Sequence, residues 1–388
     1  MQWQPTLSFE QLQAAAELAR HGTLANPAQA GNWLTLTHVL VKLSQFEEAI
    51  ARAQEALGIF PESLDVRLRL AEILLAYDRL NEAMLHAEIA LRIAPSDPRA
   101  IRLHLNLLTL VIAGSTPDRD LVASYAASNP RLLALHVKSL DATGTLALCD
   151  ALLAEKPGHT HATYVKAITL TRLGRDEEAC RLISIDRLIA MEELSTPAGY
   201  SDAEAFRGAL AAEIEANPTL DGKRSGKAGH GSLQTRMLRQ PGAVAVEALL
   251  GQVMNAVDAY ESCLLASDDP FARARPRRAR LEPWAMVSPS HGWQSSHIHP
   301  SGWITGVYYV AAPLPKGANA YRGPLVLGAL DSQTVGIDPP WGVREVEPAP
   351  GRLVLFPSYL PHSTLPSGVD GSRICVAFDV VDAASAIS

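Results

Sequence analysis

Three histidines and one arginine carry the most pointed chemistry in this sequence. His297 and His299 stand two residues apart, His362 follows 63 residues after His299, and Arg373 comes 11 after that. A neutral imidazole offers a nitrogen lone pair, which makes histidine the commonest metal ligand at physiological pH. Two histidines at i and i+2 on a strand project from one face. A third, brought over them on a loop that follows a later strand, would complete a set suited to Fe, Zn, Cu or Ni, with coordination positions left open for substrate and oxygen. A His-X-His pair alone is more often structural than metal-binding; the third histidine and the arginine strengthen the metal reading. An arginine at the start of an apolar strand is costly to bury unpaired. It calls for a carboxylate, which its fork can hold bidentately. One source is the protein itself, through Asp379 or Asp370. The other is the far end of a dicarboxylate whose near end chelates the metal.

The stretch around these residues reads as strands. Short apolar runs from Leu281 to Val287, Trp303 to Ala311, Pro324 to Leu330, Arg352 to Phe356 and Arg373 to Val380 are separated by Gly and Pro. This texture predicts an antiparallel sandwich or jelly roll. Two helices precede it. One is expected over 202–216, with Ser201 and Glu204 in a capping-box pattern and Asn217-Pro218 at its end. The other runs over 241–266, with Pro241 in its first turn and an apolar stripe through Val244, Leu249, Val253, Val257, Tyr260 and Leu264. Both are expected to pack outside one sheet. Between them, Asp221 to Ser232 is polar, basic and Gly-rich, a surface loop or a lid over the site. The arginine-rich run from Arg273 to Arg280 lacks interleaved aromatics and reads as a solvated loop rather than a nucleic-acid contact.

The first half of the chain is patterned differently. Pro27, Pro61 and Pro95 are each 34 residues apart, and at the same offset Glu48 matches Glu82, Ala49 Ala83, Ala53 Ala87, Ala56 Ala90 and Leu57 Leu91. A 34-residue period, small residues where two helices touch and Pro after the second helix resemble the tetratricopeptide repeat. The pattern is clear over residues 29 to 97 and blurs afterwards. Leu173 to Ala179 echoes Leu43 to Ala49 out of period. Degenerate helical hairpins are therefore expected to about residue 185, giving a helical repeat domain over 1–185 and a β-rich domain over 186–388. The array is read either as a groove for a peptide segment of a partner or as a scaffold.

Composition narrows the field. A net charge of −7 gives no general case for nucleic acid or an anionic membrane. Cys149, Cys180, Cys263 and Cys375 show no CxxC spacing, which fits a reducing cytoplasm better than a disulfide framework. The N-terminal residues lack the pattern of a signal peptide, and no run is long and apolar enough to span a membrane.

The motifs His297-Ile-His299-Pro-Ser-Gly-Trp-Ile-Thr-Gly-Val-Tyr308-Tyr309-Val310 and Phe356-Pro-Ser-Tyr-Leu-Pro-His362-Ser363, followed by Arg373, resemble the 2-oxoglutarate/Fe(II)-dependent oxygenases. The nearest subgroup joins this domain to N-terminal tetratricopeptide repeats in bacteria. The resemblance implies a multidomain chain, with an α-helical repeat array followed by a double-stranded β-helix, or jelly roll, with flanking helices. It implies an oxygenase using Fe(II) and 2-oxoglutarate and hydroxylating a protein, peptide or small molecule. It puts His297 and His362 at the two histidine ligands and Arg373 at the 2-oxoglutarate anchor. Cys375 stands where a hydroxyl residue often follows that anchor. Trp284, Trp293, Trp303 and Tyr308 or Tyr309 are candidates for the pocket wall. Alternation allows only one of the two tyrosines, and Tyr308 is taken as the co-substrate contact. One departure stands out: His299 occupies the place of the family's Asp or Glu. It is a third ligand, a residue behind the ligands, or a sign that a distant carboxylate such as Asp331 or Asp379 supplies the charge. Two rival readings follow from that departure: a three-histidine cupin-like metalloenzyme without 2-oxoglutarate, and a non-catalytic repeat scaffold with a degenerate oxygenase domain.

Overall fold

The computed structural model describes residues 1–4, 7–111, 119–126, 129–138, 140–222, 228–265, 269–313, 323–330 and 336–384. Asp331 lies outside the described residues, as does the middle of the basic loop. The chain divides into two compact units. One is built on Leu7–Ser139; the other gathers Met1–Thr6 with Leu140–Lys223 and Lys227–Ser388.

The first unit is helical. It comprises α1 (Phe9–Ala25), α2 (Ala30–Lys42), α3 (Phe46–Ile59), α4 (Leu64–Ala76), α5 (Leu80–Ile93), α6 (Pro98–Val111), α7 (Arg119–Tyr125) and α8 (Pro130–Val137). The small residues matched at period 34 are the buried ones: Ala49, Ala53, Ala56, Ala83, Ala87 and Ala90 are at most 1% exposed. Their lack of bulk lets α3 and α5 lie close against Leu36, Leu40, Leu70 and Leu74 in the shared core. The turn inside each hairpin repeats as well. Ser44 and Asp78 take positive φ of 59° and 63°, and the next residue's N–H reaches back to Leu40 and Leu74. This closes the helix end on a left-handed residue, a position usually given to glycine.

The second unit opens with β1 (Gln2–Trp3) and resumes with α9 (Ala142–Glu155), α10 (Thr160–Arg172), α11 (Asp176–Leu182), α12 (Ile185–Leu188), β2 (Ala190–Glu193) and α13 (Ala203–Glu215). The hairpin of α10 and α11 has the repeat's own turn, with Gly174 at φ 69° and Arg175 N–H bonded to Leu170. Its buried face nevertheless shares one core with the sheets, through Ala167, Leu170, Ala179 and Ile183. The expected boundary at 185 thus falls inside this unit. The cap of α13 is Asp202, which accepts from Ala205 N–H at 2.8 Å, rather than Ser201. Asp202 has the extended backbone an N-cap needs.

The remaining elements are β3 (Leu220–Asp221), β4 (Gly229–His230), β5 (Leu233–Thr235), α14 (Val244–Leu265), α15 (Pro270–Arg273), β6 (Arg278–Ser288), β7 (Trp293–His297), β8 (Gly302–Ala311), β9 (Leu325–Leu327), β10 (Arg344–Val346), β11 (Arg352–Pro357), β12 (His362–Thr364) and β13 (Arg373–Asp382). Pro241 precedes α14 in a turn, and the basic run is split between α15 and the start of β6. Among the described residues, one sheet has the order β2-β11-β8-β13-β6-β5-β3, with β1 beside β6, and the other β10-β9-β12-β7-β4. Apart from β1, all pairs are antiparallel, in the jelly-roll manner. Phe206, Leu210 and Ile214 of α13 and Leu249, Val253 and Val257 of α14 join the core on the outer face of the larger sheet. That face is packed to contact at Gly306, where a Cβ would lie 2.1 Å from the Phe378 ring.

Candidate metal centre

Strand pairing builds the centre. β7 and β12 are antiparallel neighbours, and their register sets His297 directly opposite His362. His299 lies past the end of β7, so strand alternation does not place it. Its backbone N–H donates to Ser358 C=O at 2.9 Å, which pins the turn and aims the ring back at the other two. Ring centroids are 4.2 Å apart for His297 and His362, 4.9 Å for His299 and His362, and 5.2 Å for His297 and His299. One ligand nitrogen from each lies within 4.8 Å of the other two.

Hydrogen bonds decide which nitrogen is offered. His297 Nδ1 is 2.8 Å from Ser295 C=O, His362 Nδ1 is 3.0 Å from Leu360 C=O, and His299 Nδ1 is 2.6 Å from Asp379 Oδ1. A carbonyl or carboxylate oxygen only accepts, so each Nδ1 carries the proton and each Nε2 keeps its lone pair. Three Nε2 lone pairs in one small space are a donor set for a borderline metal such as Fe(II). Burial also holds two of the rings neutral. It pushes His297 down to about 4, with the neighbouring His299 adding to the effect. His362, 5% exposed, lies well below the usual imidazole range, first through burial and then through the other two histidines. At neither ring does a proton compete with a metal for the imidazole lone pair at neutral pH.

The inner face of β13 is read from its register with β6 and β8. Arg373, Cys375, Ala377 and Asp379 share one face, opposite Ser288, Met286, Trp284 and Glu282 on β6. On β8, Cys375 is paired with Tyr309 and Asp379 with Thr305. Directly opposed residues point the same way, so Tyr309 stands on the Arg373 face. Tyr308, paired with Val376, faces the other way. The expected choice of Tyr308 is therefore corrected. Burial raises both phenols; the ionisable groups acting on Tyr308 are Arg207 of α13 and Glu193 of β2, and those acting on Tyr309 are Cys375, Arg373 and Arg352. The sequence shows two adjacent tyrosines; only the strand register tells them apart.

Arg373 is 4% exposed and donates to the carbonyls of Gly323 and Leu365. Among the described residues it has no carboxylate partner. Asp379, one of the two proposed for it, is engaged instead by His299 and by the Thr305 hydroxyl at 2.7 Å. Cys375 is buried, and burial raises its thiol to about 11, so it is a neutral neighbour of the arginine. Of the tryptophans, Trp284 meets the centre, 5.6 Å from His299. Trp293 stacks on His230, and Trp303 donates to Phe271 C=O and packs on that ring. Thr305 and Ser358, 2.9 Å apart, were not picked out from sequence. The signal for Thr305 was a hydroxyl within an otherwise apolar strand.

Comparisons with known proteins fit these two regions. Residues 282–379 match the family described as "Putative 2OG-Fe(II) oxygenase", and residues 40–107 match the tetratricopeptide repeat. Comparison with curated proteins gives no match. Among solved structures, a Pseudomonas putida prolyl-4-hydroxylase is 17% identical, with a TM-score of 0.36 over 54% of this chain and 98% of that one. A Trichoplax adhaerens prolyl hydroxylase, solved with a peptide of hypoxia inducible factor, is 14% identical, with a TM-score of 0.35 over 55% and 93%. YrrB, a tetratricopeptide-repeat protein, is 16% identical, with a TM-score of 0.34 over 43% and 90%. The stretch that matches the 2OG-Fe(II) oxygenase family model, residues 282–379, contains the three histidines and Arg373, and the tetratricopeptide match lies on the same chain.

Proposed function

We propose that the chain is an Fe(II)- and 2-oxoglutarate-dependent oxygenase in which His297, His299 and His362 hold the iron through Nε2. The observation that carries this reading is the set of three Nδ1–H groups, each fixed by an oxygen acceptor, so that all three Nε2 atoms are free to ligate. When bound, iron supplies the activation of oxygen, coupled to decarboxylation of 2-oxoglutarate to succinate.

The chain's part is placement. Arg373, buried and without a protein carboxylate among the described residues, holds the far carboxylate of 2-oxoglutarate. Tyr309 and Cys375, on the same face, line that end of the site. Trp284 and Phe356, whose rings lie 5.6 Å from His299 and 4.8 Å from His362, give the histidines an apolar wall that excludes water. The tetratricopeptide repeats support a protein or peptide substrate or partner, since paired helices present a groove for an extended segment. No helix among the described residues is long and apolar enough to cross a membrane, and all four cysteines are free thiols, which supports a cytoplasmic setting.

The test is anaerobic titration with Fe(II) and 2-oxoglutarate, followed by oxygen and a succinate assay. The expected result is binding of both and succinate release that is lost in His362→Ala. A protein that binds neither overturns the reading.

A further inference from the structure

A site with three imidazoles has lost the negative charge that the family's carboxylate ligand would bring, and that charge reappears one shell out. His299 Nδ1 is 2.6 Å from Asp379 Oδ1, across 80 residues of sequence. The same oxygen accepts from Thr305 Oγ1 at 2.7 Å, and Ser358 Oγ lies 2.9 Å from that hydroxyl. The Thr305 proton is committed to the carboxylate, so Ser358 donates to Thr305. His299 and Asp379 are largely enclosed, with side chains 13% and 16% exposed. A further bond, His299 N–H to Ser358 C=O, ties the backbone of the histidine to the same group. The pairing of Thr305 with Asp379 sets both on adjacent strands, so the sheet itself fixes the carboxylate.

Two other roles for Asp379 are disfavoured by position. It is bonded to His299 Nδ1 and is not among the clustered ligand atoms of His297, His299 and His362, so it is placed behind the histidine and not as a ligand. At about 3.3 Å per residue it is also about 20 Å along β13 from Arg373, too far to be its ion-pair partner.

Resting on the reading of His297, His299 and His362 as iron ligands, we propose that Asp379 is the positioning carboxylate of the centre. It holds His299 as the Nδ1–H tautomer, aims its Nε2 at the metal and supplies the negative charge through the imidazole instead of by direct ligation. Hydrogen-bonded carboxylates behind a ligating histidine raise its basicity and fix its ring. Here that arrangement stands in for the ligand that the sequence replaced with His299. Thr305 and Ser358 hold the carboxylate in turn.

The experiment measures Co(II) affinity and the visible ligand-field spectrum of the full chain, with Co(II) as an air-stable probe for Fe(II). Asp379→Asn keeps the size and an acceptor but removes the charge. The expected loss of affinity is about 10- to 100-fold with an altered Co(II) spectrum, while the thermal transition of the metal-free protein stays in place. The second arm repeats the substitution in a His299→Asp background, which restores a carboxylate at the ligand position. There Asp379 has no imidazole to act through and opposes a like charge, so Asp379→Asn leaves affinity unchanged or improves it. Unchanged affinity and spectrum in the single variant overturn the proposal. A loss of equal size in both backgrounds also overturns it, because the effect then does not pass through His299. Failure of the wild-type chain to bind Co(II) or Fe(II) is a different result: it removes the oxygenase reading, and this proposal with it.

Discussion

The repeat array and the jelly roll solve opposite problems. In the array, each buried alanine meets a helix one or two elements away, so Ala49 and Ala83 do the same work in successive copies of one hairpin. In the jelly roll, the decisive neighbours are remote. His297 faces His362 because two strands pair, and His299 meets Asp379 because a third strand runs beneath them. A repeated local unit tolerates variation in any one copy. A site assembled from distant strands depends on register, since a slip of one residue turns every side chain to the other face.

The largest effect that sharpens this contrast is expected from His362→Ala. Metal-dependent succinate formation should fall by at least about 100-fold, more than loss of an outer-shell partner costs, while the helical unit's thermal transition is unchanged. A lowered helical transition would break the separation between the regions. Arg373→Ala comes next. It should raise KM for 2-oxoglutarate about 30-fold or more, the cost of about 2 kcal/mol for removing one side of a buried charge pair; steady-state kinetics across co-substrate concentrations measure it. In the array, Ala83→Leu places a large side chain at a 0% exposed helix contact. Calorimetry should show the helical unit destabilised by about 1–3 kcal/mol, with Co(II) affinity at the histidines intact.

The two tyrosines give a smaller but more pointed test of register. Tyr309→Phe should raise KM for 2-oxoglutarate by about 2- to 10-fold, the range for losing one hydrogen bond. Tyr308→Phe, on the far face, should leave KM unchanged. The reverse result would mean that the site face of β8 has been misassigned. The smallest expected effect is stabilising. Asp78→Gly relieves a left-handed backbone at φ 63° and should raise the helical unit's stability by about 0.5–1 kcal/mol, readable as a higher urea midpoint.

The same contrast explains what could be read from the sequence. The helical hairpins were legible because period and small residues are local signals, and the strands from 281 onward were legible as apolar runs between Gly and Pro. The three histidines and Arg373 stood out by type and spacing. The choice between Tyr308 and Tyr309 was not legible, because it depends on which face of β8 meets Cys375. Asp379 was visible as a candidate charge but not as the partner of His299, which takes knowledge of how β8 and β13 pair. The helix cap was misplaced by one residue because Ser201 and Asp202 are both competent caps and only the backbone chooses between them.

Two ties of the helical hairpin to the loops of the site have a practical consequence. Thr160 of α10 donates its hydroxyl to Pro300 C=O at 2.5 Å, in the turn just after His299. Tyr359, three residues before His362, donates to Leu182 C=O at the end of α11. A chain cut at 185, where the repeat-like sequence stops, would sever both props from the loops that carry two of the three histidines. Anyone wishing to exchange the repeats for another recognition module should make the splice near residue 140, leaving this hairpin behind as part of the catalytic half.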